Sequence, residues 1–308
     1  MKLRNIILSG VTLMVGVGAA ATLLSGGGES IRAELLEERQ GYEHVVLHRT
    51  TPEEERPIIV EVSYPKEHNT PHPVLIIGGY RSGTANVKND PIDSWGLSEA
   101  GAIVVRIGFP HMNEQGLNIR YRDIKNHPAD VRAVLEYVTE RQDVFGEASP
   151  TRVWYGASMG AITGLVMNAE PDRDVKLDAI LAVGGFLPQK DQGFPSPEWD
   201  LGSMGRVTLV AAQTDLTIPY QLSVRTYREL TQAGVEVRLL TRRVGPHASI
   251  SDCRELEQSL RNLVLSELGV KSNPSSSLGS CAVVGELPGG STGLGLAALI
   301  AQGGPTSE

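Results

Sequence analysis

The chain has 308 residues, 28 Lys and Arg against 36 Asp and Glu, a formal charge of −8, and 41% hydrophobic residues. A net-negative chain without a Lys/Arg block lacks the electrostatic footprint of a nucleic-acid binder, so no nucleic-acid partner is expected. Two cysteines exclude a multi-disulfide scaffold and a cysteine-rich metal site, and the hydrophobic share suffices for a substantial core.

Lys2 and Arg4 precede an apolar run over 6–24, and Ala19-Ala20-Ala21 offers an A-x-A cleavage site. That is the pattern of a secretory leader, long enough to span a bilayer if retained. Residues 1–24 are expected to be a signal peptide or N-terminal anchor. The rest is then exported: secreted, periplasmic or membrane-anchored, with membrane contact only if the leader stays. Residues 25–41 read as a linker, of which the charged stretch over 29–40 reads as a linker or a helix.

Residues 42–49 and 57–64 read as strands with no helix between them, an antiparallel edge pair. Val74-Leu75-Ile76-Ile77 is continuously apolar and ends in Gly78-Gly79, the pattern of a strand buried on both faces. Residues 102–107 repeat it, after a short helix expected over 94–100. Over 127–142, Val131, Val134, Leu135 and Val138 recur at helical spacing. Val153-Trp154-Tyr155 then leads into Gly156-Ala157-Ser158-Met159-Gly160 and a second helical pattern. Strands are expected over 177–183, 206–212 and 235–241, and helices over 220–233 and 249–268.

Strands alternating with helices predict an α/β fold with a mostly parallel central sheet covered by helices on both faces. One domain is expected over 42–270. Beyond it the composition turns to Ser and Gly, so 271–308 reads as a disordered tail; Cys253 and Cys281 could pair, but Cys281 is expected outside the folded domain.

The stretch around Ser158 is G-x-S-x-G between a strand and a helix. Such a turn lifts the serine clear of the sheet, tolerates only small neighbours, and sets free helix N–H groups beside the hydroxyl. A serine still needs a base in hydrogen-bond reach and a carboxylate to orient that base. A parallel α/β sheet gathers active groups at the carboxyl ends of its strands. Asp215 follows the strand over 206–212, and His247 follows the last strand, in Gly245-Pro246-His247-Ala248. Asp191 and Asp200 are weaker acid candidates in an irregular polar stretch. The loop after the early buried strand puts Tyr80 where a second oxyanion N–H is needed, beside that of Met159. Arg81 and His111 are candidate pocket-lining residues.

Over 42–270 these motifs resemble the α/β-hydrolases, nearest their dienelactone-hydrolase and prolyl-oligopeptidase-like branch. The likeness rests on the helix with Asp130-Val131-Arg132-Ala133-Val134-Leu135 before the elbow, on Asp215 with Ile218-Pro219 after it, and on the His247 loop. It implies Ser158 as nucleophile, Asp215 as orienting acid, His247 as base, and the Tyr80 and Met159 N–H groups as oxyanion hole. Two positions depart from the pattern. Ala212 stands where relatives often have glycine, and Gly78-Gly79 replaces His-Gly. Residues 186–205 are too short and proline-broken for a helical cap, so an open pocket is expected. The resemblance implies an exported serine hydrolase for a small ester or, less favoured, an amide or short peptide, needing no metal or organic cofactor. An inert binding protein on the same fold, or an acyltransferase using the same triad, remain alternatives at this point.

Overall fold

The computed structural model describes residues 20–24, 30–67, 70–78, 95–110, 124, 126–171, 173, 175–189, 199–270, 278 and 281–286. Among them the strands are β1 (Ala20–Leu24), β2 (Ser30–Arg39), β3 (Tyr42–Thr50), β4 (Glu55–Ser63), β5 (His72–Gly78), β6 (Ile103–Gly108), β7 (Ala148–Ala157), β8 (Ala179–Val183), β9 (Arg206–Ala212), β10 (Val237–Arg242) and β11 (Val283–Val284). They form one sheet in the order β1-β2-β3-β4-β6-β5-β7-β8-β9-β10-β11. The run from β6 through β10 is parallel. The pairs at both flanks are antiparallel.

Among the described residues the main helices are α1 (His127–Glu140), α2 (Gln142–Phe145), α3 (Met159–Ala169), α4 (Tyr220–Gln232) and α5 (Arg254–Glu267). Period-two alternation decides which face each strand residue serves. Val74 and Ile76 of β5 pack in the larger core cluster with residues of α1, α3 and α4. Leu75 and Ile77, one residue out of phase, pack with α5 in the second cluster. The central strands are therefore apolar on both sides, and each such Val, Leu or Ile contributes about 1.5–3 kcal/mol when fully buried. This is the mostly parallel sheet, with helices on both faces, that the alternation predicts. No cap domain is present among the described residues, where 201–203 form a single 3-10 turn in the segment between β8 and β9.

Four expectations need correction. Residues 30–39 are neither linker nor helix but strand β2, paired with β3. Its Ile31 and Ala33 are buried, while Arg32 and Glu34 point the other way: Arg32 forms ion pairs with Glu34 and Glu55, and Glu34 Oε2 lies 3.1 Å from His48 Nε2. The charges mask a two-residue alternation. The tail assigned to 271–308 is not wholly outside the domain. Cys281 is disulfide-bonded to Cys253, Ala282 is buried, and β11 pairs with β10. Arg228 Nε donates to Glu286 Oε1 at 2.7 Å. A covalent link between distant residues leaves no trace in local composition. The described part of 94–100 is a series of turns, since Gly96 takes φ +61° and breaks helical continuity. The last helix begins at Arg254 rather than 249, because the preceding residues are held in an irregular loop by Arg242.

The leader assigned to 1–24 overlaps β1, and residues 1–19 lie outside the described residues.

Candidate active site

The sheet delivers three side chains to the carboxyl end of its parallel strands. The first comes from the β7–α3 junction. Ser158 has φ 53° and ψ −115°, a conformation rare for any residue with a Cβ. Its N–H donates to Val183 O at 2.8 Å, which ties the turn to β8. The turn is tight because a Cβ on Gly156 would lie 2.3 Å from the carbonyl carbon and oxygen of Gly160. Trp154 Nε1 donates to Gly160 O at 2.9 Å, so the buried indole of β7 also fixes the first turn of α3.

The second comes from the β9–α4 junction. Asp215 is 3% exposed and its two oxygens have different tasks. Oδ1 accepts from Thr217 N at 2.8 Å and Ile218 N at 2.9 Å, which organises the turn into Pro219 and α4. Oδ2 lies 2.7 Å from His247 Nδ1.

The third comes from the loop after β10. His247 Nε2 lies 2.7 Å from Ser158 Oγ. An ionised carboxylate can only accept, so Nδ1 carries the ring proton towards Asp215 and Nε2 is left to accept from the serine hydroxyl. Ser158 is 4% exposed. The three side chains form one hydrogen-bonded chain, with the serine and the acid both buried.

Met159 opens α3, so its N–H belongs to the first-turn donors that have no intrahelical acceptor. β5 ends at Gly78, in register with Gly156 of β7. Tyr80 and Arg81, which follow it, lie outside the described residues, as do His111 and Asp191. Asp200 is engaged elsewhere, with Ser203 and Arg173. Among the described residues, nothing in its contacts links it to His247.

Four residues that carry no sequence signal, Thr214, Arg242, Asp252 and His127, pack on the elements that build the site. Thr214 Oγ1 accepts from Gly245 N at 3.0 Å and donates to Gly245 O at 3.1 Å, joining the Asp215 and His247 loops. Arg242 and Asp252 pair beneath the His247 loop. Below the site, His127 is fully buried, stacked on Phe109 at 4.0 Å and 3.0 Å from Thr163 Oγ1 through Nδ1. Burial, with Arg56 nearby, pushes its pKa down to about 3.

Cys253, Glu255 and Cys281 are the group among the described residues whose potential metal-ligand atoms converge, within 4.8 Å. Both sulfurs are consumed by their mutual bond, which leaves no thiolate to ligate a metal.

No protein-family model and no curated protein sequence matches the chain. Solved structures do. One is Thermogutta terrifontis esterase 2 phosphorylated by paraoxon, at 12% identity and TM-score 0.57, covering 77% of this chain and 98% of that one. The propionate-bound form of that esterase aligns at 12% identity and TM-score 0.54, over 71% and 92% of the two chains. Pyrococcus horikoshii acylaminoacyl peptidase aligns at 11% identity and TM-score 0.55, over 85% of this chain and 51% of that one. With the sheet order and the strand–turn–helix at Ser158, these likenesses identify the α/β-hydrolase fold.

Proposed function

We propose that this α/β-hydrolase-fold chain is an exported serine hydrolase that cleaves carboxylic esters in preference to amides or short peptides. The supporting observation is the pair of 2.7 Å contacts that run from Ser158 through His247 to Asp215. Ser158 Oγ attacks the substrate carbonyl carbon while its proton passes to His247 Nε2. Asp215 faces the imidazolium that forms. The N–H groups of Met159 and Tyr80 receive the oxyanion. Collapse breaks the bond to the leaving group, which departs with the proton from His247. A water then attacks the acyl-enzyme, again through His247, and returns the acid and the free hydroxyl. Every proton is handled by the imidazole, so the reaction calls for no cofactor.

A Ser158–His247 separation beyond hydrogen-bond reach would favour an inert binding protein, and the 2.7 Å contact speaks against that alternative. The leader pattern supports export. So does the Cys253–Cys281 bond, since disulfides persist in oxidising compartments. The absence of a cap between β8 and β9 among the described residues fits small soluble esters.

A fluorophosphonate probe tests the reading. The folded protein is expected to be labelled at Ser158, with labelling abolished in Ser158→Ala and His247→Ala. Folded wild-type protein that resists the probe overturns it. p-Nitrophenyl esters of increasing acyl length, set against matching anilides, then define the preferred substrate.

A further inference from the structure

Residues 243–253 connect β10 to α5 and carry His247 near their middle. A loop of this kind has no intrinsic reason to hold an imidazole within hydrogen-bond reach of two partners at once. The side chain beneath it supplies that reason.

Arg242, the last residue of β10, is 4% exposed. Its Nη1 donates to Ser249 O at 2.6 Å, and its Nη2 to Asp252 Oδ2 at 2.6 Å. Both anchors lie on the C-terminal side of His247. On the N-terminal side, Gly245 rests against the same guanidinium, where a Cβ would lie 2.6 Å from Arg242 Cζ. One buried planar group therefore touches the loop before and after the histidine. Gly245 is held from above as well, by the Thr214 hydroxyl next to Asp215.

We infer that Arg242 is a positioning residue for His247, acting through Ser249 and Asp252. The inference rests on the reading of His247 as the base. A buried guanidinium needs its partners, and those partners are on the loop. The loop cannot lift without leaving that charge unpaired, so the charge locks the loop. Lysine does not substitute, because one ammonium on a flexible stem lacks the fork that reaches a carbonyl and a carboxylate in different directions. The Arg242–Asp252 pair also holds the Asp252 carboxyl below its usual range.

The experiment measures ester hydrolysis in Arg242→Lys, Arg242→Met and Asp252→Asn, each also as residual hydrolysis in a His247→Ala background, with Ser158 labelling followed only where His247 is intact. Arg242→Lys and Arg242→Met are expected to lower kcat by up to about 10²-fold with KM little changed, as for a misplaced catalytic group. Asp252→Asn is expected to lower it less, since the Ser249 anchor stays. In the His247→Ala background the same changes are expected to cost less than about twofold, because a residue that acts only through His247 has nothing left to position. Equal losses in both backgrounds, or wild-type kcat in Arg242→Lys, overturn the inference. If Arg242→Met does not fold, Arg242→Lys and Asp252→Asn decide alone by the same comparison. Wild-type protein that is not labelled at Ser158 overturns the proposed function instead, which keeps the two failures apart.

Discussion

Ser158 and Ala248 are the two non-glycine residues with positive φ among the described residues, at 53° and 52°, and they stand on either side of the contact between Ser158 Oγ and His247 Nε2. Both loops thus carry local strain beside the hydrogen bond they form. Strain of this kind costs roughly 1–3 kcal/mol per residue and persists where the surroundings over-determine it. Replacing Ser158 by glycine removes it, against a loss of about 0.5–1 kcal/mol for the freer unfolded chain. Ser158→Gly is therefore expected to be more stable than Ser158→Ala by about 1 kcal/mol, although neither reacts with the probe. Urea denaturation of the two inactive variants measures the difference. Equal midpoints would mean that the turn is not strained.

The disulfide makes a separate contribution. Cys253 and Cys281 are 28 residues apart, and closing a loop of that length is worth about 3–4 kcal/mol in the chain-entropy description. Cys253 also caps α5, its sulfur accepting from Leu256 N at 3.4 Å. Serine is a good N-cap, so Cys253→Ser removes the cross-link while keeping the cap. A loss of several kcal/mol in Cys253→Ser, matched by Cys281→Ser, is expected in denaturant titrations. A change under about 1 kcal/mol in both would show that the bond adds little.

His127 sets a pH dependence of stability. Its burial keeps the folded imidazole neutral down to about pH 3. An unfolded histidine takes up its proton near 6.5. The unfolded chain binds the extra proton between those values, so stability is complete above about pH 6.5 and falls as the pH drops through the window. Between pH 7 and pH 5 the wild type is expected to lose about 2 kcal/mol more than His127→Gln. Parallel denaturation curves at the two pH values give that difference. Equal slopes for the two proteins would remove His127 as its source.

Asp130 in α1 receives Arg49 Nε at 2.8 Å, Arg56 Nε at 3.1 Å and Arg56 Nη2 at 2.8 Å. It is fully buried, and both arginines are buried against it. Taking away the carboxylate leaves two guanidinium groups without their shared counter-charge, which typically costs 3–5 kcal/mol. Asp130→Ala is expected to unfold at markedly lower denaturant, whereas Glu136→Ala on the exposed side of α1 should shift the midpoint little. Comparable midpoints for the two variants would contradict the assignment.

What could be read beforehand, and what could not, divides by the range of the interaction. Ser158, Asp215 and His247 each follow an apolar strand pattern, so their strand-end positions are local facts, and a parallel sheet brings strand ends together. β2 escaped because its outward face is charged, which lowers mean hydropathy without disturbing the alternation of Ile31 and Ala33. The Cys253–Cys281 bond, the return of β11 to β10 and the grip of Arg242 on Asp252 are tertiary events. Each joins residues whose neighbours in the chain announce nothing. Arg242 in particular looks like an ordinary charged strand terminus until the loop is folded over it.

The short β11 has a practical side. It pairs with Leu240 and Thr241 of β10, and the cross-link helps to hold it there, together with the Thr241 Oγ1 bond to Gly285 O and the Arg228–Glu286 pair. Without it, β10 would present open backbone donors and acceptors to any extended chain nearby, the usual starting point for strand-on-strand clumping. Material produced in a thiol-rich cytoplasm is therefore expected to precipitate more readily than material produced through an oxidising secretory route, and size-exclusion profiles of the two preparations would register the contrast.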